Sequence, residues 1–346
     1  MTRWTQRMLA SAAALALCLA PALSRATQAE DFYKGRQITF IVSTDAGGGI
    51  PAYANAFTPH FALHIPNQPR IVVQYMPGAG GVRAMNYLYS VAPKDGTVMG
   101  IVNAPSPYAP LFGISGAKYD PIRMNWIGSL DDTGGICAAW SASGIRTWQD
   151  VLDKEFIVGS TGAGSQMETF PMMVNKLFGT KIKVISGYKG GNEVFLAMER
   201  GEVQGRCGSL VSSITSTRPD WIPQKKVYVP FQVALERNPL FPDSPAIAEF
   251  AKDEHTKRVI ELVLSHMSMD KPIVLPPGVP AERVEVLRAA FHATMNDAAF
   301  IADAKKQRIT TKEVSGEKVL QILKKSYAMP PDVVEAAKGA MDVSGG

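Results

Sequence analysis

Three glycine-rich turns carry the chemistry that this sequence offers most plainly: Ala46–Gly49, Pro77–Gly81 and Gly159–Ser165. Each follows a short apolar run typical of a strand and precedes a stretch typical of a helix. The first amide groups of a helix have no carbonyl acceptor within it, and they lie at the positive end of its dipole. Such turns bind anions without any cationic side chain. They therefore predict a main-chain site for a carboxylate.

The candidate ligand contacts come from these turns and from two neighbouring loops. They are Gly47, Gly48, Gly49, Ile50, Pro51, Gly78, Ala79, Ser106, Ser160, Thr161, Gly162, Gly164, Ser165 and Tyr188. Each has a structural alternative. The glycines can simply form tight turns with positive φ, and the serine and threonine hydroxyls can simply cap a helix. Ser106 can belong to an inert proline-rich surface loop.

Charged and metal-binding side chains give weaker signals. Arg83 and Arg206 are the cations nearest to these loops; either can pair with a second carboxylate, but we expect both to be solvated at the surface. His60 and His64 share one helix face at i, i+4 spacing, yet a third ligand at matching spacing is missing. We therefore expect solvated histidines and no metal. The adjacent Asp131-Asp132 pair is interpreted as surface acids near a hinge.

Motifs of common enzymes are missing from the sequence. It has no Gly-x-Ser-x-Gly elbow, no His-Glu-x-x-His helix and no lysine of the Walker type after a glycine loop. Where a dinucleotide fingerprint requires its third glycine, the second turn has Arg83 and the third has Met167. We therefore predict no catalytic residue and no cofactor.

The first residues have the pattern of a secretory signal peptide, assigned to 1–29. Arg3 and Arg7 precede the apolar stretch Met8–Ala22, which is shorter than the about 20 residues that a spanning helix needs. With Arg25 also removed, the formal net charge falls from +5 to about +2. Without a basic patch interleaved with aromatic residues, we expect no nucleic-acid partner. The predicted location is the periplasm.

Two cysteines remain in the mature chain, Cys137 and Cys207. Both lie in apolar, strand-like runs, and an oxidising compartment permits a disulfide between them. Two buried free thiols are the alternative. Sequence spacing does not decide between these.

The rest of the chain alternates between strand and helix patterns, which is typical of an α/β protein. A second alternating block interrupts the first, so we predict two α/β lobes: 30–130 with 234–346 form lobe 1, and 131–233 forms lobe 2. The predicted elements include a strand over Val203–Cys207 and several helices. These helices are Thr147–Leu152 with Thr147 as its cap, Ser165–Phe178 closed by Gly179, Ser244–Phe250, Gly316–Tyr327 and Pro331–Met341. A ligand cleft is expected between the lobes.

Seven segments in this order resemble the Bug-type extracytoplasmic solute receptors of tripartite tricarboxylate transporters, over essentially the whole mature chain. A single glycine motif is weak, whereas the ordered set is specific. The segments are Ala46–Gly49, Val73–Gly81, Ala92–Thr97, Gly159–Ser165, Tyr188–Gly191, Phe241–Pro245 and Leu275–Pro280.

The resemblance implies a type II periplasmic-binding fold that closes on a small organic carboxylate, held by Gly47–Pro51 and Ser160–Ser165. It also implies a receptor rather than an enzyme, acting as a monomer that delivers its ligand to membrane transporter subunits. The crossovers between the lobes are expected near Ser129–Asp132 and Val229–Val233. A hydrolase or isomerase using the same cleft, or a sensor for a histidine kinase, are the alternatives.

One departure from the family bears on the ligand. Ile50-Pro51 stands where the family usually has an acidic residue, and Asn55 where an arginine is common. Because relatives that bind amino acids are thought to pair that acid with the ammonium group, its absence predicts a ligand without a positive charge. Ile50 and Tyr53 would add apolar surface, which suits an aromatic or aliphatic mono- or dicarboxylate.

Overall fold

The computed structural model describes residues 31–46, 49–132, 134–162 and 165–342. Its strands form two sheets. They are β1 Gln37–Val42, β2 Arg70–Tyr75, β3 Val98–Ile101, β4 Asn125–Ser129, β5 Gly135–Trp140, β6 Phe156–Ser160, β7 Ile182–Ser186, β8 Gly205–Leu210, β9 Val227–Val233, β10 Pro272–Leu275 and β11 Val314–Ser315. The first sheet has the order β11-β4-β10-β3-β1-β2 and the second β7-β6-β8-β5-β9. The predicted α/β architecture is confirmed.

Helices cover both sheets. They are α1 Gly49–His64, α2 Val82–Ser90, α3 Trp148–Asp153, α4 Gln166–Phe178, α5 Gly191–Arg200, α6 Val211–Thr217, α7 Glu254–Leu264, α8 Ala281–Met295, α9 Ala298–Lys306, α10 Gly316–Tyr327 and α11 Pro331–Met341. Within the described residues, no helix has the length and apolarity needed to cross a bilayer.

The parallel pairs place the glycine turns at the edges of the two sheets. β1 pairs in parallel with both β2 and β3, and β6 pairs in parallel with both β7 and β8. The carboxyl ends of each parallel group therefore lie at one edge. In open α/β sheets, ligands bind in the crevice outside that edge.

The second sheet is inserted between two strands of the first. After β9 the chain returns as β10, which pairs antiparallel between β3 and β4, and β11 then adds to β4. The C-terminal helix α11 packs against both α7 and α4. Residues after 234 thus contact helices associated with both sheets, and the lobe boundaries stay a prediction.

Several elements differ from the sequence prediction. The strand expected over Val203–Cys207 is β8, displaced towards the C-terminus, and the helix expected over Ser244–Phe250 is only a 3-10 turn, Ile247–Phe250. Neither β4 nor α6 was predicted. β4 is a short segment with an asparagine and a glycine, and it becomes a strand because β10 and β11, from distant parts of the chain, pair with it.

A disulfide joins Cys137 of β5 to Cys207 of β8, neighbouring strands of the second sheet. Both residues are fully buried. The bridge resolves the alternative that the sequence left open, and it fixes the central strands next to the third glycine turn.

The start of α1 is fixed by packing on the first sheet. Pro51, Ala54, Phe57 and Phe61 face inward, and the Phe57 ring stacks on that of Phe61 with centroids 4.8 Å apart. Such stacking adds to the burial of apolar area. The first turn of α1 is thereby held at the carboxyl end of β1.

Candidate functional site

The first glycine turn leads directly into α1. Gly47 and Gly48 lie outside the described residues, whereas Gly49 and Ile50 are the first two residues of the helix and Pro51 is the third. Proline is tolerated there because the amides of the first turn have no acceptor within the helix. Among the described residues, no atom would lie within 4 Å of a Cβ added at Gly49.

Tyr53 anchors α1 to the chain segment between the two sheets. Its hydroxyl donates to Asp131 Oδ2 over 2.8 Å, and the Thr310 hydroxyl donates to the same oxygen over 2.6 Å. Asp131 is 2% exposed, so the expectation of a surface acid is wrong. Burial raises the pKa of the Asp131 carboxyl despite the two hydroxyl donors. Tyr53 thus has a polar structural role besides any contact with a ligand.

The second turn is a run of left-handed backbone. Gly78, Ala79, Gly80 and Gly81 have φ values of 138°, 47°, 62° and 100°. Left-handed φ at the non-glycine Ala79 is uncommon and indicates local strain. The turn ends where α2 begins at Val82.

Ser106 supports this second turn. It is 3% exposed, and its hydroxyl donates to the Asn103 carbonyl over 2.7 Å. A Cβ added at Gly81 would lie 3.1 Å from the Ser106 Cβ, so the glycine permits a close approach. Because the Ser106 hydroxyl hydrogen is used within the loop, the geometry gives Ser106 a role in supporting the turn. Contact between Ser106 and the ligand stays a prediction.

The third turn is organised around the Ser160 hydroxyl, which is fully buried at the end of β6. It accepts the amide of Gly162 over 3.0 Å and lies 3.2 Å from the Ser165 hydroxyl. Ser165 is the N-cap residue of α4, with a backbone φ of −79° and no side-chain cap bond. Thr161 and Gly162 are half-buried, and Gly164 lies outside the described residues.

Glu168, which the sequence analysis missed, lies in the first turn of α4. Its Oε2 accepts the hydroxyls of Ser160 over 3.2 Å and of Ser186 over 2.9 Å. The segment Ser165-Gln166-Met167-Glu168 fits the capping-box pattern and could have revealed it. The carboxylate binds neighbouring hydroxyls instead of the cap amide. It places a negative charge beside a turn expected to hold an anion.

We expect Glu168→Gln to strengthen the binding of a carboxylate ligand. Removing one like charge beside the ligand, in a medium of intermediate dielectric constant, should raise affinity roughly tenfold. Glutamine retains an oxygen that accepts the Ser160 and Ser186 hydroxyls. Isothermal titration calorimetry measures the change, with Glu335→Gln on α11 as the charge-matched control. A loss of affinity would mean that Glu168 orients Ser160 or binds a cationic group of the ligand.

Gly208 lies beneath the start of α4. Its φ is +71°, and an added Cβ would be 2.6 Å from the Gln166 carbonyl oxygen and 3.0 Å from the Met167 amide nitrogen. This glycine is thus required both by its backbone conformation and by the approach of the helix. Nothing in the local sequence of β8 indicated that contact, because its partner lies forty residues earlier in the chain.

Tyr188 connects the third turn with the loop after β7. Its amide donates to the Ser160 carbonyl over 3.2 Å. A Cβ added at Gly159 would lie 3.2 Å from the tyrosine ring, so the ring covers this glycine. The structure therefore brings Tyr188, Ser160, Gly162 and Ser165 together, as the prediction of one site requires.

Arg206 is buried, so the expectation of surface solvation is wrong for this residue. It is 8% exposed, and its guanidinium carbon lies 4.6 Å from the centroid of the Phe195 ring. Burial lowers the pKa of Arg206 to about 10, which leaves the side chain charged at neutral pH. Arg83, in contrast, is exposed, and its Nη1 donates to the Pro77 carbonyl over 3.4 Å.

No protein-family model matches the chain. The UPF0065 protein in the gbd 5′ region of Cupriavidus necator is 26% identical over 300 residues, covering 83% of this chain and 82% of that protein.

Solved structures identify the fold. A TctC solute-binding protein from Polaromonas has a TM-score of 0.69 at 19% identity, with 89% of this chain and 98% of that chain covered. The periplasmic binding protein BugD has a TM-score of 0.58 at 20% identity, with 89% and 98% covered. This chain has the fold of the TctC and Bug-type solute-binding proteins. The resemblance expected from the ordered motifs is confirmed.

A third neighbour with this Bug-type fold was solved with a ligand. MatC from Rhodopseudomonas palustris, with bound malate, has a TM-score of 0.58 at 18% identity, covering 86% of this chain and 99% of that chain. At this level of identity the likeness concerns the fold.

The two helix-face histidines are paired with acids of α9 and the residue before it. His64 Nε2 lies 2.9 Å from Asp297 Oδ2, and His60 Nε2 lies 3.5 Å from Asp303 Oδ2. Solvated histidines were expected, but these contacts hold α1 against α9. Across the residues that the structure describes, no group of three metal-ligating side chains occurs.

A cavity of about 740 Å³ lies between α6 and the segment from α9 to Thr311. Its lining residues include three threonines and two cationic residues: Thr215, Thr217, Thr310, Lys305 and Arg308. None of the described residues of the three glycine turns lines it. Because both cations are exposed, water screens their charge. We therefore favour the glycine turns, whose amide donors are fixed by the backbone, as the candidate anion site of this Bug-type fold.

Proposed function

We propose that this protein is a periplasmic receptor that captures a small organic carboxylate and delivers it to a tripartite tricarboxylate-type membrane transporter. The observation that carries the proposal is the position of two turns, each opening a helix at the carboxyl end of parallel strands in its own sheet. α1 begins after β1, and α4 begins after β6. Helix starts of this kind favour a negatively charged ligand group.

In this proposal the ligand is held between two lobes, 30–130 with 234–346 and 131–233. Gly47–Pro51 contribute amides from the first lobe, and Ser160–Ser165 contribute amides and hydroxyls from the second. A ligand that contacts both lobes favours the closed state, because those contacts are complete only there. The transporter would then recognise the closed receptor.

Two observations support this assignment. MatC, with the same fold, was solved with malate, a carboxylate. The bridge between Cys137 and Cys207 suits an oxidising compartment, and it agrees with the predicted export of the chain. The predicted signal peptide itself lies outside the described residues.

A ligand panel tests the proposal directly. Aliphatic and aromatic mono- and dicarboxylates, with malate included and amino acids as the comparison set, are screened by thermal shift and then by calorimetry. A ligand at about 100 times its dissociation constant stabilises the protein by about 2.7 kcal/mol. We expect stabilisation by one or more carboxylates. Stabilisation by amino acids alone would contradict the prediction, drawn from Ile50-Pro51, that the ligand has no positive charge.

The first turn can be tested with a pair of substitutions at one position. Gly49→Pro removes one amide donor where a helix start tolerates proline, whereas Gly49→Ala keeps the donor and adds a Cβ in open space. We expect Gly49→Pro to weaken carboxylate binding about tenfold, the worth of one hydrogen bond to a charged group. Gly49→Ala should bind like the wild type. Equal affinities for all three proteins would show that the Gly49 amide does not contact the ligand. Binding at the 740 Å³ cavity would then be tested.

An enzyme is the second candidate function, because the Ser160 hydroxyl lies beside the Glu168 carboxylate. The described partners of the Ser160 hydroxyl are Ser165, Glu168 and the Gly162 amide, and none of these is a histidine. Incubation of bound acid with purified protein, followed by chromatography of the recovered ligand, distinguishes the two functions. A receptor returns the acid unchanged.

A further inference from the structure

We propose that Arg206 and the first turn of α5 form a second anion subsite, which receives a second acidic group of the ligand and so selects diacids over the corresponding monoacids. The inference rests on the proposed carboxylate receptor and adds to it a side chain that discriminates between ligands. It concerns a position separate from the helix starts of α1 and α4.

The first observation is a buried cation without a polar partner. Arg206 is 8% exposed, its Nε is buried without a hydrogen bond, and in the part of the chain that the structure describes no carboxylate pairs with it. Burying a charged group without a partner is costly, and the contact with the Phe195 ring offsets this only in part. Buried guanidinium groups usually have an anionic partner, which here would be the ligand.

The second observation is the position of the Arg206 guanidinium group. A Cβ added at Gly191 would overlap Nη1 of Arg206, so the guanidinium lies against the first residue of α5. The amides of Glu193 and Val194 donate to the Gly190 carbonyl, whereas those of Gly191 and Asn192 precede the first intrahelical bonds. A guanidinium and the start of a ten-residue helix therefore converge on one point.

One negative charge, that of Glu193, lies near the start of α5. Glu193 is in the first turn of α5, and its Oε2 accepts the Lys189 amide over 2.8 Å. No ion pair joins Glu193 to Arg206 among the described residues. The guanidinium thus keeps its hydrogen-bonding capacity for a ligand.

The third observation places this point beside the third turn. Gly205 of β8 pairs in parallel with Val158 of β6, so Arg206 is level with Gly159, the residue before Ser160. Tyr188 covers Gly159 and donates its amide to Ser160, and it is followed by the loop that begins α5. An acid held by the third turn therefore has a cation on the neighbouring strand for its other end. The planar fork of arginine suits a carboxylate, which it binds through two parallel hydrogen bonds.

Matched ligands and matched variants test the subsite. The probes are straight-chain α,ω-dicarboxylates of four to eight carbons, each beside its monoamide, which has the same length but lacks the second charge. We expect the wild type to bind at least one diacid more tightly than its monoamide. Arg206→Gln should weaken that diacid about 100-fold and leave the monoamide unchanged, since truncating one member of a buried charge pair is strongly unfavourable. Arg206→Lys should restore part of the preference.

A second pair of variants leaves Arg206 in place. Gly191→Ala displaces the end of the flexible arginine side chain, whereas Gly190→Ala, in extended backbone with φ −170°, meets no atom within 4 Å. Gly191→Ala should reproduce the selective loss of the diacid, and Gly190→Ala should not. Circular dichroism and thermal melts verify that each variant is folded.

The possible failures are distinguishable. If Arg206→Gln weakens diacid and monoamide equally, or if the wild type binds both equally, the subsite is overturned and the receptor function stands. If Arg206→Gln does not fold, the comparison of Gly191→Ala with Gly190→Ala decides whether the subsite exists. Should the wild type bind no carboxylate at all, the proposed function is overturned, and the subsite with it.

Discussion

Replacement of Gly208 by alanine is expected to lower the free energy of unfolding by about 3 kcal/mol, from left-handed backbone strain and overpacking together. The added Cβ would lie 2.6 Å from the Gln166 carbonyl oxygen, a backbone atom that cannot rotate away. To relieve the overlap, the start of α4 must move, together with the amides that we assign to the ligand. We therefore also expect at least a tenfold loss of carboxylate affinity, on the order of one hydrogen bond to a charged group.

Gly179→Ala is the matched control for this effect. Gly179 ends the same helix with nearly the same φ, +69°, but a Cβ there would meet no atom within 4 Å. Its substitution should cost about 1 kcal/mol, the strain of the left-handed backbone alone, and leave ligand binding unchanged. Urea unfolding and calorimetry measure both quantities. Equal losses of stability and affinity in the two variants would show that α4 lies farther from Gly208 than in the structure.

Removal of the disulfide is the second large effect. The bridge between Cys137 and Cys207 closes a loop of 70 residues, and its loss should lower the free energy of unfolding by about 2–4 kcal/mol. The expected result for Cys137→Ala/Cys207→Ala is a lower midpoint in guanidinium chloride. The melting temperature should fall with it.

Reduction of the wild type separates the bridge from the small cavities that alanine leaves. Dithiothreitol should destabilise the wild type and have no effect on the double variant, because only the wild type has a bond to reduce. A thiol assay on the denatured wild type should detect neither Cys137 nor Cys207. Two titrating thiols at these positions, with unfolding insensitive to reductant, would restore the alternative of free buried cysteines.

The helices and strands next to the glycine turns could be predicted from the sequence to within a few residues. The predicted helix Ser165–Phe178, closed by Gly179, is α4, and the two C-terminal helices have the predicted bounds. These elements are determined locally, by apolar periodicity and by capping residues. Thr147, predicted as a cap, accepts the Asp150 amide in a capping box.

The errors concern residues whose state depends on distant parts of the chain. Asp131 was expected at the surface, and it is buried because Tyr53 and Thr310, 78 and 179 residues away, donate to it. Arg206 was expected in solvent, and it is buried because α5 lies over β8. In both cases the side chain itself is charged, and only the fold determines what covers it.

The sequence by itself determined the α/β architecture, the places of the three glycine-rich turns and the resemblance to Bug-type receptors, because strand and helix patterns and glycine turns are encoded by neighbouring residues. Only the tertiary structure decided that Ser186 of β7 donates to Glu168, that Gly208 supports α4 and that Arg206 is a buried cation with no polar partner among the described residues. The physical reason is that burial and pairing arise between segments far apart in the chain. Local patterns carry no information about which segments will meet.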